Sequence, residues 1–179
     1  MQAGDICFLS ISEAARLLSD KELSPVDVVQ NCLERIEEVN SELNCFCFVY
    51  ADEALATART AEKAVMKGAA LGPLHGVPFT VKDCIDTEGV LTTRGSKLFE
   101  DRVPEVDAPV VKRLKDAGGI MIGKTNMPEF ALWWETGNAV FGRSENPWKA
   151  GRTTCWQRPQ GSAIQLARLL PGRPRSRGM

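Results

Sequence analysis

The chain has 179 residues, of which 44% are hydrophobic and 25% charged, and its formal net charge is -1. This composition is typical of a globular protein and excludes collagenous, intrinsically disordered and strongly charged classes. No window approaches the roughly 18 consecutive apolar residues of a membrane helix, and the first residues lack the basic and apolar regions of a secretory signal. We therefore expect a cytoplasmic protein without a membrane span.

The cysteines and the histidine give no sign of a metal site. The six cysteines contain no C-x-x-C pair, and His75 is the only histidine. The spacing of these residues in the sequence supports neither a zinc site nor a disulfide framework. We expect reduced thiols that pack as small apolar groups, and neither a metal nor an organic cofactor.

Charge divides the chain into two unlike parts. Residues 1–150 hold all 23 acidic residues, whereas residues 151–179 hold six arginines and no acid. Such a change is typical of a separate basic segment. We interpret it as a disordered tail and expect no specific nucleic-acid binding, because the arginines follow no interleaved pattern.

Local patterns predict four helices and three strands in the larger part. Ser10 with Glu13, and Ser24 with Pro25, are helix-start signals. The predicted helices cover residues 11–19, 25–39, 52–67 and 108–117, and a further helical turn or two falls within residues 127–134. The predicted strands cover residues 45–50, 77–81 and 120–122, and residues 146–148 form a turn. The order of helix, glycine and apolar strand is typical of an α/β sheet.

Lys82 is the residue whose position most needs an explanation. It follows the apolar segment VPFTV directly. A buried, unpaired ammonium is too costly, so this lysine must reach solvent, pair with a carboxylate, or lose its proton and become a general base. The local sequence alone favours pairing with Asp83 or Asp86 on an exposed loop.

Two other groups are weaker candidates for function. His75 and Cys84 form the one conceivable Cys–His couple, but nothing indicates that they meet, so we expect a loop histidine and a packed thiol. Trp133 and Trp134, with Phe130 nearby, could line an apolar cleft, although a core or helix–sheet contact is the more common role. No phosphate-binding glycine motif is present.

Three segments together change this interpretation of Lys82. GPLHGVPFTVKD (72–83), DAPVVKRLKDAGGIMIGKTNMPEF (107–130) and FGRSENPW (141–148) closely resemble, in order and spacing, the N-terminal part of the amidase signature family. That family includes bacterial amidases, fatty acid amide hydrolases and the A subunit of the tRNA-dependent amidotransferase. The resemblance covers nearly all of residues 10–154.

The resemblance implies both a fold and a reaction. The fold would be an incomplete α/β/α sandwich, with N-terminal helices followed by part of a mixed sheet. The reaction would be hydrolysis of a carboxamide C–N bond by a serine, a second serine with a cis peptide bond, and a lysine. The family's lysine lies in a G-x-P-x-x-x-K-D segment, which here places it at Lys82. By position, Met127 and Ala131 would border the substrate cleft.

The chain departs from the family pattern at about residue 154. Family members continue into a glycine- and serine-rich signature, whereas Gln157 or Arg158 would stand where the bridging serine belongs. Ser162 and Ser176 lack the glycine-rich surroundings of a nucleophile in an oxyanion site. We therefore divide the chain into an N-terminal part of an amidase domain, residues 1–154, and a divergent tail, residues 155–179. A frameshift, an alternative exon or a gene-model error would explain both changes.

Two functions remain open at this point. In the first, the protein belongs to the amidases that act on a small-molecule amide. In the second, it is a non-catalytic fragment that binds or regulates a partner; a component like the amidotransferase's A subunit is a further alternative. A partial sheet would leave an edge strand or apolar face exposed, so we expect homodimers or association through that edge.

Overall fold

The computed structural model describes residues 6–153, and the tail predicted for residues 155–179 lies outside them. Helices α1 to α4 and the sheet strands β1 to β3 build the main body, and four short strands follow. The helices are α1 (Ile11–Ser19), α2 (Pro25–Leu43), α3 (Ala51–Met66) and α4 (Pro109–Asp116). The main strands are β1 (Phe46–Val49), β2 (Pro78–Lys82) and β3 (Ile120–Thr125). The short strands are β4 (Gly137–Asn138), β5 (Gly142–Arg143), β6 (Glu145–Asn146) and β7 (Lys149–Thr153).

Capping side chains start the first two helices, as the sequence predicts. The Ser10 hydroxyl accepts a hydrogen bond from the Glu13 amide at 3.2 Å, and the Ser24 hydroxyl accepts one from the Val26 amide at 3.0 Å. Helix α2 runs four residues past the predicted end. It stops where Asn44 adopts a left-handed conformation (φ 47°), a common way to end a helix.

The main sheet is mixed, with the order β1-β3-β2. Strand β1 runs antiparallel to β3, and β2 runs parallel to it. Gly123 lets β1 approach closely, because a Cβ at that position would lie 2.5 Å from the Phe48 carbonyl oxygen. Strands β1 and β2 therefore form the two edges of this sheet.

Helices cover both faces of the sheet, so the predicted α/β class and mixed sheet are confirmed. On one face, residues of α2 and α3 pack against Ile120 and Ile122 of β3 in the main core. On the other face, Val111 of α4 packs with Phe79 and Val81 of β2. The segment that precedes α1 and helix α1 itself form an adjoining cluster with α2 and Val77.

The predicted buried face of α4 was wrong by one position. The sequence analysis placed Val110, Leu114 and Ala117 on the buried side, but Val110 is 50% exposed and Val111 is 1% exposed. Val111 and Leu114 are one helical turn apart and contact β2 together, which turns Val110 outward.

The cysteines in the described residues are free thiols, in agreement with the sequence analysis. They are Cys7, Cys32, Cys45, Cys47 and Cys84. Cys155 lies outside the described residues. Among the helices within residues 6–153, none is long and apolar enough to cross a membrane.

Candidate functional site

Strands β2 and β3 are parallel and end side by side, and the candidate site lies at these carboxyl ends. Lys82, the last residue of β2, pairs in register with Thr125, the last residue of β3. Its side chain is partly exposed. The main chain then forms a tight turn in which the Ile85 amide donates to the Lys82 carbonyl at 2.9 Å. Lys82 thus stands at the beginning of a hydrogen-bonded turn.

Asp83, the next residue, is completely buried. Its carboxylate accepts hydrogen bonds from the Thr93 amide at 3.2 Å, the Thr93 hydroxyl at 2.5 Å and the Gly95 amide at 3.4 Å. Burial raises the pKa of Asp83, and the hydrogen bonds from Thr93 act against that rise. Asp83 therefore anchors the loop of residues 92–96 beneath the turn.

Asp86 also has partners of its own. Arg102 binds its carboxylate through two nitrogens at 2.8 and 2.7 Å, and Arg94 lies 3.5 Å away. The hydrogen bond from Arg102 is the main reason that the pKa of Asp86 is lowered. Both carboxylates that the local sequence offered to Lys82 are thus engaged in bonds to the residues around the turn.

Lys124, which the sequence analysis did not single out, is the fully buried lysine of this site. Its side chain is 0% exposed, and its Nζ donates to the Ile85 carbonyl at 2.7 Å and to the Thr92 hydroxyl at 2.5 Å. Burial lowers the pKa of Lys124 to about 8, although Asp83 and Asp86 act in the opposite direction. A desolvated amine is therefore present at Lys124, in the strand that neighbours Lys82.

A sequence signal for Lys124 does exist. Lys124 follows IMIG as Lys82 follows VPFTV, so both lysines lie near the carboxyl end of an apolar strand. Its orientation is less accessible to sequence reasoning because of a register shift: Phe79 pairs with Met121, but Thr80 pairs with Gly123. The additional residue in β3 changes which face the following side chains occupy.

The segment after β3 holds Met127 and Ala131, the two residues expected at a substrate cleft. Met127 is 0% exposed, so its side chain packs in the interior. Ala131 is partly exposed, and both it and Phe130 have positive φ angles (58° and 51°). The helical segment expected in residues 127–134 is a single 3-10 turn, Glu129–Ala131.

The 92–96 loop joins this segment to the end of β2. The Phe130 amide donates to the Arg94 carbonyl at 2.9 Å, and the Ser96 hydroxyl donates to Glu129 at 2.6 Å. The loop therefore connects the Lys82 turn with the segment that carries Met127 and Ala131.

Asparagine side chains attach the following residues to the body. The Asn126 amide nitrogen donates to the Asn44 carbonyl at 3.3 Å and to the Ser144 hydroxyl at 3.1 Å. The Ser144 hydroxyl donates to the same Asn44 carbonyl at 2.5 Å. The Asn138 side chain donates to the Met127 carbonyl at 2.7 Å. This network fixes the backbone immediately after β3.

The other candidates do not join the site. His75 precedes β2 and bonds the Ala61 carbonyl at 3.0 Å, whereas Cys84 follows β2, so the strand separates them. Trp133 and Trp134 were expected to make a core or helix–sheet contact rather than to line an apolar cleft, and the expected burial was wrong: they are 54% and 62% exposed. They stack on each other at 4.1 Å instead, on the segment that follows Ala131.

Comparison with protein families and curated sequences gives consistent matches. The family model described as Amidase matches residues 27–155. The A subunit of a glutamyl-tRNA(Gln) amidotransferase from Azoarcus sp. strain BH72 is 43% identical over 162 residues, which is 90% of this chain and 33% of that protein. Its counterpart from Streptomyces coelicolor is 44% identical over 144 residues, which is 80% of this chain and 29% of that protein. The chain spans about a third of the length of these curated relatives.

Solved structures match the fold. A fatty acid amide hydrolase superposes with a TM-score of 0.78 and 25% identity, over 81% of this chain and 26% of that one. A peptide amidase from Stenotrophomonas maltophilia superposes with a TM-score of 0.75 and 28% identity, over 87% of this chain and 32% of that one.

Proposed function

Because the chain belongs to the amidase family, we propose that it forms the lysine-bearing part of a site that hydrolyses a carboxamide to a carboxylate and ammonia or an amine. The observation that carries the proposal is the position of Lys82. It ends β2 beside Thr125, at the carboxyl ends of two parallel strands. Ligand sites in α/β sheets commonly lie at such ends.

The proposed chemistry assigns Lys82 the role of proton acceptor. In its neutral form the amine takes a proton from a bridging serine, and that serine takes one from the serine that attacks the amide carbon. The C–N bond then breaks as the proton returns through the bridging serine to the leaving nitrogen, and water hydrolyses the acyl-serine to the carboxylate. Backbone amides of a glycine-rich segment stabilise the negative oxygen of the tetrahedral intermediate. Met127 and Ala131 border the proposed cleft: the Met127 side chain is buried, and the partly exposed Ala131 offers backbone rather than side-chain contacts.

We also propose that this 179-residue chain does not hydrolyse amides by itself. Residues 155–179 contain Ser162 and Ser176, and neither stands in a glycine- and serine-rich signature. Loss of the nucleophile of a covalent hydrolase removes several orders of magnitude in rate. The change in composition supports residue 154 as the boundary of the amidase part.

A chimera tests the role of Lys82. Residues 1–154 are joined to the remaining part of the A chain of a homologous amidotransferase, and amide hydrolysis is measured for the chimera and its Lys82→Ala variant. We expect the substitution to lower kcat by about three orders of magnitude or more, because it removes the terminal proton acceptor. The matched control is Lys112→Ala, since Lys112 is an exposed lysine of α4 that bonds Asp116.

The inactivity of the chain alone needs a separate test. The purified 179-residue protein is treated with a serine-directed fluorophosphonate probe and assayed for amide hydrolysis. We expect neither labelling nor turnover. Stoichiometric labelling, or full activity of the Lys82→Ala chimera, would contradict the respective part of the proposal.

A second candidate is the amidotransferase branch of the family, in which glutamine is the ammonia donor and partner subunits take part. It is favoured by the 43% and 44% identity to the two amidotransferase sequences, compared with 25% and 28% to the two amidase structures. The same chimera distinguishes the two: hydrolysis of glutamine in preference to aryl and alkyl amides supports the amidotransferase branch. Preference for the less polar amides supports a simple amidase.

Association through the sheet is a further proposal. Strands β1 and β2 are the edges of the three-stranded sheet, and an open edge can pair with a second copy or with another partial amidase sheet. In that role the chain would act as a non-catalytic binding partner.

A further inference from the structure

We propose that Lys124 is a positioning residue for Lys82, acting through the turn that follows β2. Lys82 is the first residue of that turn and Ile85 is the last, closed by the 2.9 Å hydrogen bond between the Ile85 amide and the Lys82 carbonyl. Lys124 bonds the carbonyl of Ile85 at 2.7 Å. The importance of Lys124 for catalysis rests on the proposed function, whereas the experiment below measures the effect of Lys124 on Lys82 independently of that function.

Lys124 holds the turn from the neighbouring strand. It is the residue immediately before Thr125, which pairs in register with Lys82. The Lys124 amine reaches Ile85, the last residue of the turn, and Thr125 pairs with Lys82, the first residue. Two adjacent residues of β3 therefore hold the two ends of the turn. This arrangement holds the backbone at the end of β2, from which the Lys82 side chain extends.

The second bond of Lys124 connects the turn to the 92–96 loop. The Thr92 hydroxyl accepts from Lys124 and donates to the Val90 carbonyl at 3.0 Å. The next residue, Thr93, bonds the Asp83 carboxylate. Asp83 and Lys124 therefore anchor consecutive residues of the same loop, one from within the turn and one from β3.

An apolar side chain could not replace this amine. The Lys124 and Thr92 side chains are 0% exposed, so solvent does not reach their contact. Removal of the amine takes away the shorter of the two hydrogen bonds that the Ile85 carbonyl accepts, since the Thr87 hydroxyl donates to it at 3.3 Å. It also leaves the buried Thr92 hydroxyl with its donation to Val90 but without the donor that Lys124 supplies, and such a loss in a buried site is costly. The turn would move to find other donors, and Lys82 would move with it.

Competitive labelling of amines tests the proposal on the 179-residue chain. A trace amount of acetic anhydride is added over a range of pH, and peptide mass spectrometry gives the rate for Lys82 relative to exposed lysines. The variants are Lys124→Met and the matched pair Thr92→Val and Thr92→Ser. Thr92→Val removes the hydroxyl with little change in shape, whereas Thr92→Ser keeps it.

We expect Lys124→Met and Thr92→Val to change the relative rate of Lys82 by roughly threefold or more, about the factor that one hydrogen bond contributes to a local equilibrium. The midpoint of the Lys82 pH profile shifts with it, and Thr92→Ser retains the wild-type profile. Lys112→Met, on the exposed face of α4, leaves the Lys82 rate unchanged. Far-UV circular dichroism identifies variants that fold.

The proposal is overturned if Lys82 keeps its wild-type rate and midpoint in a folded Lys124→Met variant. Should Lys124→Met fail to fold, the Thr92 pair decides: equal Lys82 profiles in Thr92→Val and Thr92→Ser overturn it. Failure of the proposed function gives a different result, because it leaves the chimera without Lys82-dependent hydrolysis whatever the labelling shows.

Discussion

The buried amine of Lys124 gives a quantitative prediction for the pH dependence of stability. The perturbation is Lys124→Met, which removes the titrating group from a site that is 0% exposed. Burial lowers the pKa of Lys124 from its ordinary 10.5 to about 8. At about 1.4 kcal/mol per pH unit, this difference corresponds to roughly 3 kcal/mol in the free energy of unfolding.

The direction of this pH dependence follows from the number of protons that Lys124 binds in the folded and in the unfolded state. Below about pH 8 the amine is protonated in both states, so it adds no pH dependence. Between about pH 8 and 10.5 the unfolded state holds a proton that the folded state has released, so stability rises with pH. The stabilisation is complete above about pH 10.5, decreases as the pH falls below that value, and is lost once the pH has fallen through about 8.

Other groups titrate in the same range with the opposite sign. Burial raises the pKa of Cys45 to about 11 and that of Tyr50 to about 12. These groups lower stability as the pH rises, because the unfolded state loses their protons first. Cys45 and Tyr50 are present in the wild type and in the Lys124→Met variant. The informative quantity is therefore the free energy of unfolding of the wild type minus that of the variant.

The assay is urea unfolding at a series of pH values from about 7 to 10.5, followed by far-UV circular dichroism and linear extrapolation. We expect the wild type to gain up to about 3 kcal/mol relative to the variant across this range. A difference that stays flat, or that decreases with pH, would refute the conclusion that burial lowers the pKa of this amine.

Four simpler measurements test other parts of the structure. Gly123→Ala places a Cβ 2.5 Å from the Phe48 carbonyl oxygen, so thermal unfolding should show a loss of about 2 kcal/mol or more. Ser24→Ala removes the cap of α2 and the hydrogen bond from the Ser24 hydroxyl to Glu62, so urea unfolding should show a loss of about 1 kcal/mol or more, whereas the matched Ser24→Thr variant keeps a hydroxyl for both bonds and should keep most of that stability. Trp133→Ser should change the free energy of unfolding by less than about 0.5 kcal/mol, because the Trp133 side chain is 54% exposed. Within residues 6–153 the one aromatic ring that it stacks on is that of Trp134. In size-exclusion chromatography the chain should elute as dimers or larger species through its sheet edges; a sharp monomer peak would contradict that proposal.

Much of the framework could be predicted because its signals are local. Ser10 and Ser24 start their helices through hydrogen bonds to residues two or three positions away. The apolar strand before Lys82 and the helix–glycine–strand order around Gly118 also depend on neighbours in the sequence. The position of Lys82 at the end of β2 therefore followed from sequence, although its proposed role came from the family resemblance.

The remaining features depend on contacts between distant residues. The orientation of Lys124 is set by the register shift between β2 and β3, and its bonding partner Thr92 lies 32 residues away in sequence. The exposed position of Trp133 depends on the path of the chain at Phe130 and Ala131, two residues whose positive φ angles redirect the backbone. Hydrophobic periodicity contains no information about either.

The shared carbonyl of Asn44 sets an order of events during synthesis. Asn44 ends α2, and its carbonyl accepts from Ser144, a residue 100 positions later. At a translation rate of about 5–20 residues per second, the ribosome reaches Ser144 roughly 5–20 s after Asn44. The first two helices can pair early, but this acceptor gains both of its side-chain donors only after Asn126 and Ser144 have been synthesised. A pause in translation within that interval would prolong exposure of the unfinished sheet to chaperones and to other nascent chains.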